Sequence, residues 1–193
     1  MQVKNSDNKH TTINHLPFFL ERNKIFLPNQ RNCAMQYLCL MRHASSKYDA
    51  SNDFNRTLTT EGDKQADSIP DYFARHLELL PDLILCSTAQ RTKLTIQPLL
   101  QKFEIKIHYL DELYCANYMT IQNIIAQYQT AKNLMIVSHN PGISKLVREL
   151  AEVAGDQIEP EMQYLQPSQM AIFQIIQNSA TRYKELVSFY ESI

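Results

Sequence analysis

Arginine and histidine residues follow three short apolar segments of the chain within a few residues. The segments and the residues behind them are Tyr37–Met41 with Arg42 and His43, Leu83–Cys86 with Arg91 four residues on from Ser87, and Leu134–Val137 with Ser138 and His139. Guanidinium groups bind phosphate oxygens as a fork, and an imidazole supplies a further donor or a nucleophile. Two arginines and two histidines at one place therefore predict a site for a phosphoryl dianion.

A metal site is the competing use of His43 and His139. No carboxylate or thiolate stands beside them at ligand spacing, the chain has no H-E-x-x-H motif, and the neighbouring arginines would repel a cation. A P-loop is excluded as well, because the sequence contains no G-x-x-x-x-G-K and only three glycines. The sequence therefore predicts phosphate binding by side chains, with no metal.

Segments of strand length alternate with segments of helical periodicity along most of the chain. The predicted strands are Tyr37–Met41, Leu83–Cys86, Ile105–Tyr109, Leu134–Val137, Met170–Ile176 and Leu186–Phe189, and the helical segments are Glu61–Leu80 with a break or kink near Pro70, Ala89–Phe103, Ile121–Tyr128 and Ile143–Leu150. This alternation predicts an α/β fold, a three-layer α/β/α sandwich with a mostly parallel central sheet. In such sheets the functional groups gather at the carboxyl ends of the strands.

The composition changes near Met35. Residues 1–34 carry five Lys and Arg against two Asp and Glu, a charge of +3, whereas the other 159 residues carry 14 against 18, a charge of −4. The first stretch also lacks a sustained hydrophobic period. We expect residues 1–34 to form a loosely ordered N-terminal extension, with Met35 as an alternative start of the chain, and residues 35–193 to form one domain.

Charge and cysteine usage exclude several broad classes of protein. The net charge of −1 gives no basic field for nucleic acid or anionic lipid. The longest apolar run near the N-terminus, Phe18–Leu20, is far too short for a signal peptide or a membrane span. The four cysteines show no C-x-x-C pairing, which favours reduced thiols. We therefore expect a cytoplasmic protein.

Four separated motifs connect the site to a known family. They are LCLMRHASSKYDASNDFNRTLTTEG, PDLILCSTAQRTKLT, LYCANY and NLMIVSHNPGIS. Over about residues 36–177 the chain resembles the histidine phosphatase superfamily, whose fold is phosphoglycerate-mutase-like, and within it the small SixA-type phosphohistidine phosphatases. Ala44 after His43 supports that branch, because the wider superfamily prefers Gly there.

The resemblance implies a role for each of the four site residues. His43 would take the phosphoryl group as a covalent phosphohistidine intermediate that water later hydrolyses. Arg42, Arg91 and a protonated His139 would cradle the phosphate and neutralise its equatorial oxygens. The implied mechanism needs no cofactor and no metal.

Two further positions carry alternatives. Arg56 matches an arginine that recurs in this branch; it either reaches the substrate or forms a loop ion pair with Asp53 or Glu61. Ser138 stands where the family usually has Gly, so its hydroxyl either crowds the strand end or donates to phosphate. With Ser138 and no certain general acid, a module that binds a phosphorylated ligand without turnover stays a second hypothesis.

The substrate class depends on the leaving group. Larger members of the superfamily use a glutamate as the acid for an alcohol, and the nearest candidates here are Asp111 and Glu112. An imidazole leaves easily after protonation near pH 7, so a missing acid favours a phosphohistidine-bearing protein as the partner. A small-metabolite phosphomonoesterase is the alternative within the enzyme class.

Overall fold

The computed structural model describes residues 35–48, 51–154, 164–175 and 183–190. The strands are β1 (Tyr37–Arg42), β2 (Leu83–Ser87), β3 (Lys106–Leu110), β4 (Asn133–Ser138), β5 (Met170–Ile175) and β6 (Tyr183–Tyr190). The helices are α1 (Thr60–Arg75), α2 (Gln90–Lys102), α3 (Tyr118–Ile125) and α4 (Gly142–Ala154), with 3-10 turns at Leu77–Leu79 and Asp111–Leu113. The predicted extension, residues 1–34, lies outside the described residues, as does Ile176 of a predicted strand.

The six strands form one sheet in the order β3-β2-β4-β1-β5-β6. β3, β2, β4 and β1 pair in parallel, whereas β5 runs antiparallel to β1 and to β6. β4 lies between β1 and β2, so a chain leaving any of these three strands emerges at the same edge. The predicted mostly parallel sheet is confirmed.

Side chains of the central strands alternate between two hydrophobic cores, one on each face of the sheet. Leu38 and Leu40 of β1 face a core that includes residues of α3 and α4, whereas Cys39 and Met41 face a core that includes residues of α1 and α2. Strands buried on both faces read as unbroken apolar runs, which is the pattern of β1, β2 and β4. The three-layer α/β/α sandwich predicted from the sequence is therefore confirmed.

Of the break or kink predicted near Pro70, the break does not occur. α1 continues through Pro70 to Arg75, and the chain then forms the separate 3-10 turn at Leu77–Leu79. Pro70 is buried, and tertiary packing holds the helix although proline removes one backbone donor.

In the described part of the chain, no helix is long and apolar enough to cross a membrane. Cys39 and Cys86 are buried, unpaired thiols.

Two glycines allow the first turn of a helix to pack directly against a loop backbone. A Cβ on Gly62 in α1 would collide with the carbonyl of Ser45, and one on Gly142 in α4 would collide with the carbonyl of Ala116. Neither glycine has a positive φ, so close approach of two backbones, and not an unusual conformation, requires it. The two contacts position the segment after β1 and the segment before α3.

Gly142→Ala tests this packing through the sign of its effect. At an ordinary helical position, alanine is more stable than glycine by about 1 kcal/mol. Here we expect the free energy of unfolding to fall by about 1–3 kcal/mol, because overpacking displaces the Ala116 backbone. Denaturant unfolding measures it. Glu152 is an exposed position of the same helix, and comparing Glu152→Ala with Glu152→Gly gives the ordinary sign; stabilisation by Gly142→Ala would contradict the packing argument.

Candidate active site

The two histidines lie side by side beyond the ends of two adjacent strands. Arg42 of β1 is in register with Ser138 of β4, so His43 and His139 both follow immediately after paired residues. Their ring centroids are 5.2 Å apart, and both residues are almost completely buried. The predicted convergence of His43 and His139 at the carboxyl edge of the sheet is what the structure shows.

Hydrogen bonds select the tautomer of His43. Its Nδ1 lies 2.7 Å from the carbonyl oxygen of Ala44, which can only accept, so Nδ1 carries the proton. Its Nε2 lies 3.2 Å from Nε of Arg91, which can only donate, so Nε2 carries a lone pair. Burial, with repulsion from Arg91, Arg42 and Arg56, lowers the pKa of His43 from 6.5 to about 4 against the opposing bond to Ala44. His43 therefore presents an unprotonated nitrogen at neutral pH.

Arg91 joins the two imidazoles to a loop carboxylate. It lies in the first turn of α2, directly after β2, and is 3% exposed. Besides the bond to His43, Nη2 donates to Nδ1 of His139 at 3.1 Å and to Oδ2 of Asp53 at 3.1 Å, and Nη1 donates to the Asp53 carbonyl at 2.6 Å. Four of its five N–H groups are thus used by protein acceptors.

His139 is held as a neutral ring. Because Arg91 donates to Nδ1, the other nitrogen, Nε2, carries the proton and donates to Oγ of Ser87 at 2.8 Å. Burial, followed by repulsion from Arg91 and His43, lowers the pKa of His139 to about 3. The resemblance implied a protonated His139, but these hydrogen bonds require the neutral form.

Arg42 reaches the site from the end of β1. Its Nη1 donates to the carbonyl oxygen of Leu165 at 2.9 Å, and Asn140 donates to the same oxygen at 3.0 Å. Its Nε is buried and has no hydrogen-bond partner within the described ranges. A buried donor without an acceptor is costly, so this N–H suits an anionic ligand.

Arg56 forms the predicted loop ion pair, and its partner is Asp53. Nη1 of Arg56 lies 2.8 Å from Oδ1 of Asp53, and Nη2 donates to Oγ of Ser46 at 2.7 Å. The hydroxyl of Tyr114 donates to the other carboxylate oxygen of Asp53 at 2.7 Å. These bonds, first that from Tyr114 and then that from Arg56, lower the pKa of Asp53 far below its usual range. Asp53 is consequently ionised wherever the protein is folded near neutral pH.

Ser138, Asp111 and Glu112 are the remaining candidates from the sequence, and none of their side chains is shown bonded to the two histidines or to Arg91. The Ser138 hydroxyl is fully buried and donates to the carbonyl of Leu113 at 2.9 Å, so it neither crowds the strand end nor points its proton at the site. Asp111 and Glu112 are exposed in the 3-10 turn after β3. Within the segments that the structure describes, neither side chain bonds to His43, His139 or Arg91.

Sequence reasoning missed two groups at the site, Asp53 and Tyr114. The Tyr114 ring packs edge-on to His139 at 5.5 Å, and its hydroxyl reaches Asp53 from a different loop. Both residues lie inside the family-like motifs, which was the available signal, but nothing in their spacing indicates that they meet. Over the described ranges, no group of three or more His, Cys, Asp or Glu side chains is arranged to hold a metal ion.

Comparison with known proteins gives one family and a set of solved structures. The sequence model of the histidine phosphatase superfamily (branch 1) matches residues 38–122. A proposed phosphohistidine phosphatase, SixA, from Agrobacterium tumefaciens is 28% identical with a TM-score of 0.69, over 81% of this chain and 98% of its own. A comparison with curated proteins finds no match.

Two further structures share the fold. A proposed SixA from Nakamurella multipartitia is 24% identical with a TM-score of 0.70, over 82% of this chain and 96% of its own. The histidine phosphatase SixA in complex with tungstate is 19% identical with a TM-score of 0.62, over 80% and 94%. The chain is thus similar to the histidine phosphatase superfamily (branch 1) over residues 38–122, and its fold is similar to that of SixA-type structures.

Proposed function

We propose that the chain is a phosphatase that hydrolyses phosphohistidine on proteins through a covalent intermediate at His43. The observation that carries this proposal is the unprotonated Nε2 of His43, with its partner nitrogen held by Ala44 and its lone pair beside the Arg91 guanidinium. A neutral nucleophile among cations is the arrangement that attack on a phosphoryl dianion requires. Arg42, Arg91 and His139 are the groups that would hold the phosphate.

In the first step, the Nε2 lone pair of His43 attacks phosphorus and the P–N bond to the substrate imidazole breaks. The electron pair of that bond goes to the leaving imidazole, which departs neutral once its other nitrogen has taken up a proton from solvent, a step that is easy near pH 7. Arg91 and Arg42 neutralise the equatorial oxygens during transfer. Since Nδ1–H of His43 stays bonded to Ala44, the positive charge that develops on the ring is stabilised by that carbonyl.

In the second step, water attacks phosphorus and the bond from phosphorus to Nε2 breaks. The products are orthophosphate and His43 with its lone pair restored, while the water proton passes to solvent or to phosphate. The sum is one water consumed for each phosphohistidine hydrolysed. The route passes through the side chains alone, and we expect it to need no metal or cofactor.

Among the residues that the structure describes, the carboxyl groups considered as proton donors do not suit that role, which supports phosphohistidine over an alkyl phosphate. Asp53 is a carboxylate at the site, yet the hydrogen bonds from Tyr114 and Arg56 keep it ionised, so it has no proton to give to an alkoxide. Asp111 and Glu112 are exposed on the surface of the fold. A leaving imidazole needs no such donor. The partner expected from this chemistry is a phosphohistidine-bearing protein.

Turnover of three substrates tests the proposal. We expect phosphate release from a phosphohistidine protein, in the presence of chelator, at a rate well above those from a sugar phosphate and a phosphoserine peptide. His43→Ala should abolish release because it removes the nucleophilic nitrogen, whereas Nδ1 of His139 accepts from Arg91 and its Nε2 carries a proton. His76→Ala is the matched control, since His76 is a half-exposed histidine at the end of α1.

Each other result has a definite meaning. Release from the sugar phosphate alone would make the chain a small-metabolite phosphatase, and release from none would leave the phosphate-binding module. Release that survives His43→Ala would show that the assigned nucleophile is wrong.

Arg91→Ala tests the cradle. Removing one preorganised donor to a developing charge commonly lowers the rate about 10²–10³-fold, and Arg91 faces both histidines, so we expect kcat/KM to fall by at least that factor. The loss should appear in both KM and kcat. Arg75→Ala, at an exposed position of α1, removes the same charge far along the fold and should change neither. An Arg91→Ala enzyme with unaltered kcat/KM would exclude Arg91 from the cradle.

The protonation of the histidines is a separate expectation. Nitrogen NMR of the labelled protein should show His43 as the Nδ1–H tautomer and neutral down to about pH 5, since burial lowers its pKa to about 4. The unfolded chain binds protons near pH 6.5 that the native ring does not, so the free energy of unfolding should fall as pH drops from 6.5 toward 4. His43→Ala assigns the signal. A His43 signal that titrates near 6.5 would contradict the hydrogen-bond assignment.

A further inference from the structure

The anion on Arg91 in this structure belongs to the protein itself. Asp53 contacts the guanidinium twice, through its carboxylate to Nη2 at 3.1 Å and through its carbonyl to Nη1 at 2.6 Å. The inner side of the same guanidinium faces His43 and His139. Protein acceptors on both sides leave one N–H free, whereas a bidentate grip on phosphate takes two.

Exposure shows which of these acceptors a ligand meets first. The side chain of Arg91 is 4% exposed, while that of Asp53 is 46% exposed. The imidazoles are buried and are held in place by Ala44 and Ser87. A ligand that arrives from solvent therefore reaches Arg91 on the side that Asp53 covers.

We propose that Asp53 is a gating residue whose carboxylate occupies the phosphate-binding side of Arg91 and is displaced by the substrate phosphoryl group. The proposal rests on the proposed function for the role of Arg91. A dianion carries twice the charge of the carboxylate, so it replaces Asp53 on Arg91, whereas a monoanionic carboxylate only matches the tethered group and is kept out. Asp53 thereby determines specificity for a phosphoryl group.

The partners of Asp53 define how the gate is held. Tyr114 and Arg91 both donate to Oδ2, so moving this oxygen off Arg91 also breaks the bond from Tyr114. Arg56 instead holds Oδ1, and the pair is independent of Arg91. The hydrogen bond from Tyr114, which we call the latch, thus keeps Oδ2 of Asp53 on Arg91. When Oδ2 is released, Arg56 still holds the carboxylate through Oδ1.

Calorimetric titration with inorganic phosphate tests the gate without requiring turnover. We expect Asp53→Asn to bind phosphate about tenfold more tightly than the wild type, the order expected from repulsion between a single and a double charge a few ångströms apart in a water-like medium. Asp67→Asn removes the same charge at an exposed position of α1 and should leave the affinity unchanged. Acetate should compete with phosphate in Asp53→Asn and not in the wild type.

Tyr114→Phe provides a second variant that keeps the carboxylate and the ring. It should tighten phosphate binding by a smaller factor, about two- to fivefold, because a single hydrogen bond from the Tyr114 hydroxyl to Oδ2 is lost while the Asp53 charge stays. In the double variant, the affinity should equal that of Asp53→Asn alone, since the latch has nothing left to hold. Circular dichroism confirms that each variant is folded.

Equal or weaker phosphate binding in both Asp53→Asn and Tyr114→Phe would overturn the gate. Tighter binding in these variants, together with no turnover by the wild type, would support the gate and overturn the proposed function. Turnover by the wild type, together with unchanged phosphate affinity in both variants, would support the proposed function and overturn the gate. Binding of phosphate by neither wild type nor Asp53→Asn would reject both the gate and the cradle.

Discussion

The buried guanidinium of Arg91 is the constraint on which the rest of the site depends. A cation that is 3% exposed requires acceptors, and it obtains them from two neutral imidazoles and one loop residue. Because arginine does not lose its proton, it forces the facing nitrogen of each imidazole to be an acceptor. The tautomers of His43 and His139 thus follow from one side chain, which sits in the first turn of α2.

Much of the supporting structure keeps that guanidinium in place. Thr95, one turn further along α2, bonds through Oγ1 to the carbonyl of Arg91 at 2.7 Å and accepts the backbone N–H of Ala44 at 2.9 Å. The carbonyl of Ala44 in turn orients His43. A single buried threonine therefore fixes the distance between the helix that carries the cation and the segment that carries the nucleophile.

The fold and the positions of Arg42, His43, Arg91 and His139 could be predicted because their signals are local. Each central strand is a short apolar run, and the residue after a parallel strand lies at the carboxyl edge whatever the loops do. Asp53 and Tyr114 could not be placed, because they meet across loops 61 residues apart in sequence. The neutral state of His139 also depends on which nitrogen Arg91 reaches, which is a matter of side-chain geometry. The helix continues through Pro70 because the preference of proline against helix interiors yields to tertiary packing.

The close backbone contacts at Gly62 and Gly142 determine which loop positions can accept other side chains. At Gly62 and Gly142 a helix start touches a neighbouring loop backbone to backbone, so the spacing there does not depend on any side chain. The loop residues at those contacts, Ser45 and Ala116, take part through their carbonyl groups, which every amino acid possesses. A change of side chain at Ser45 or Ala116 therefore leaves the backbone contact that positions each helix start intact.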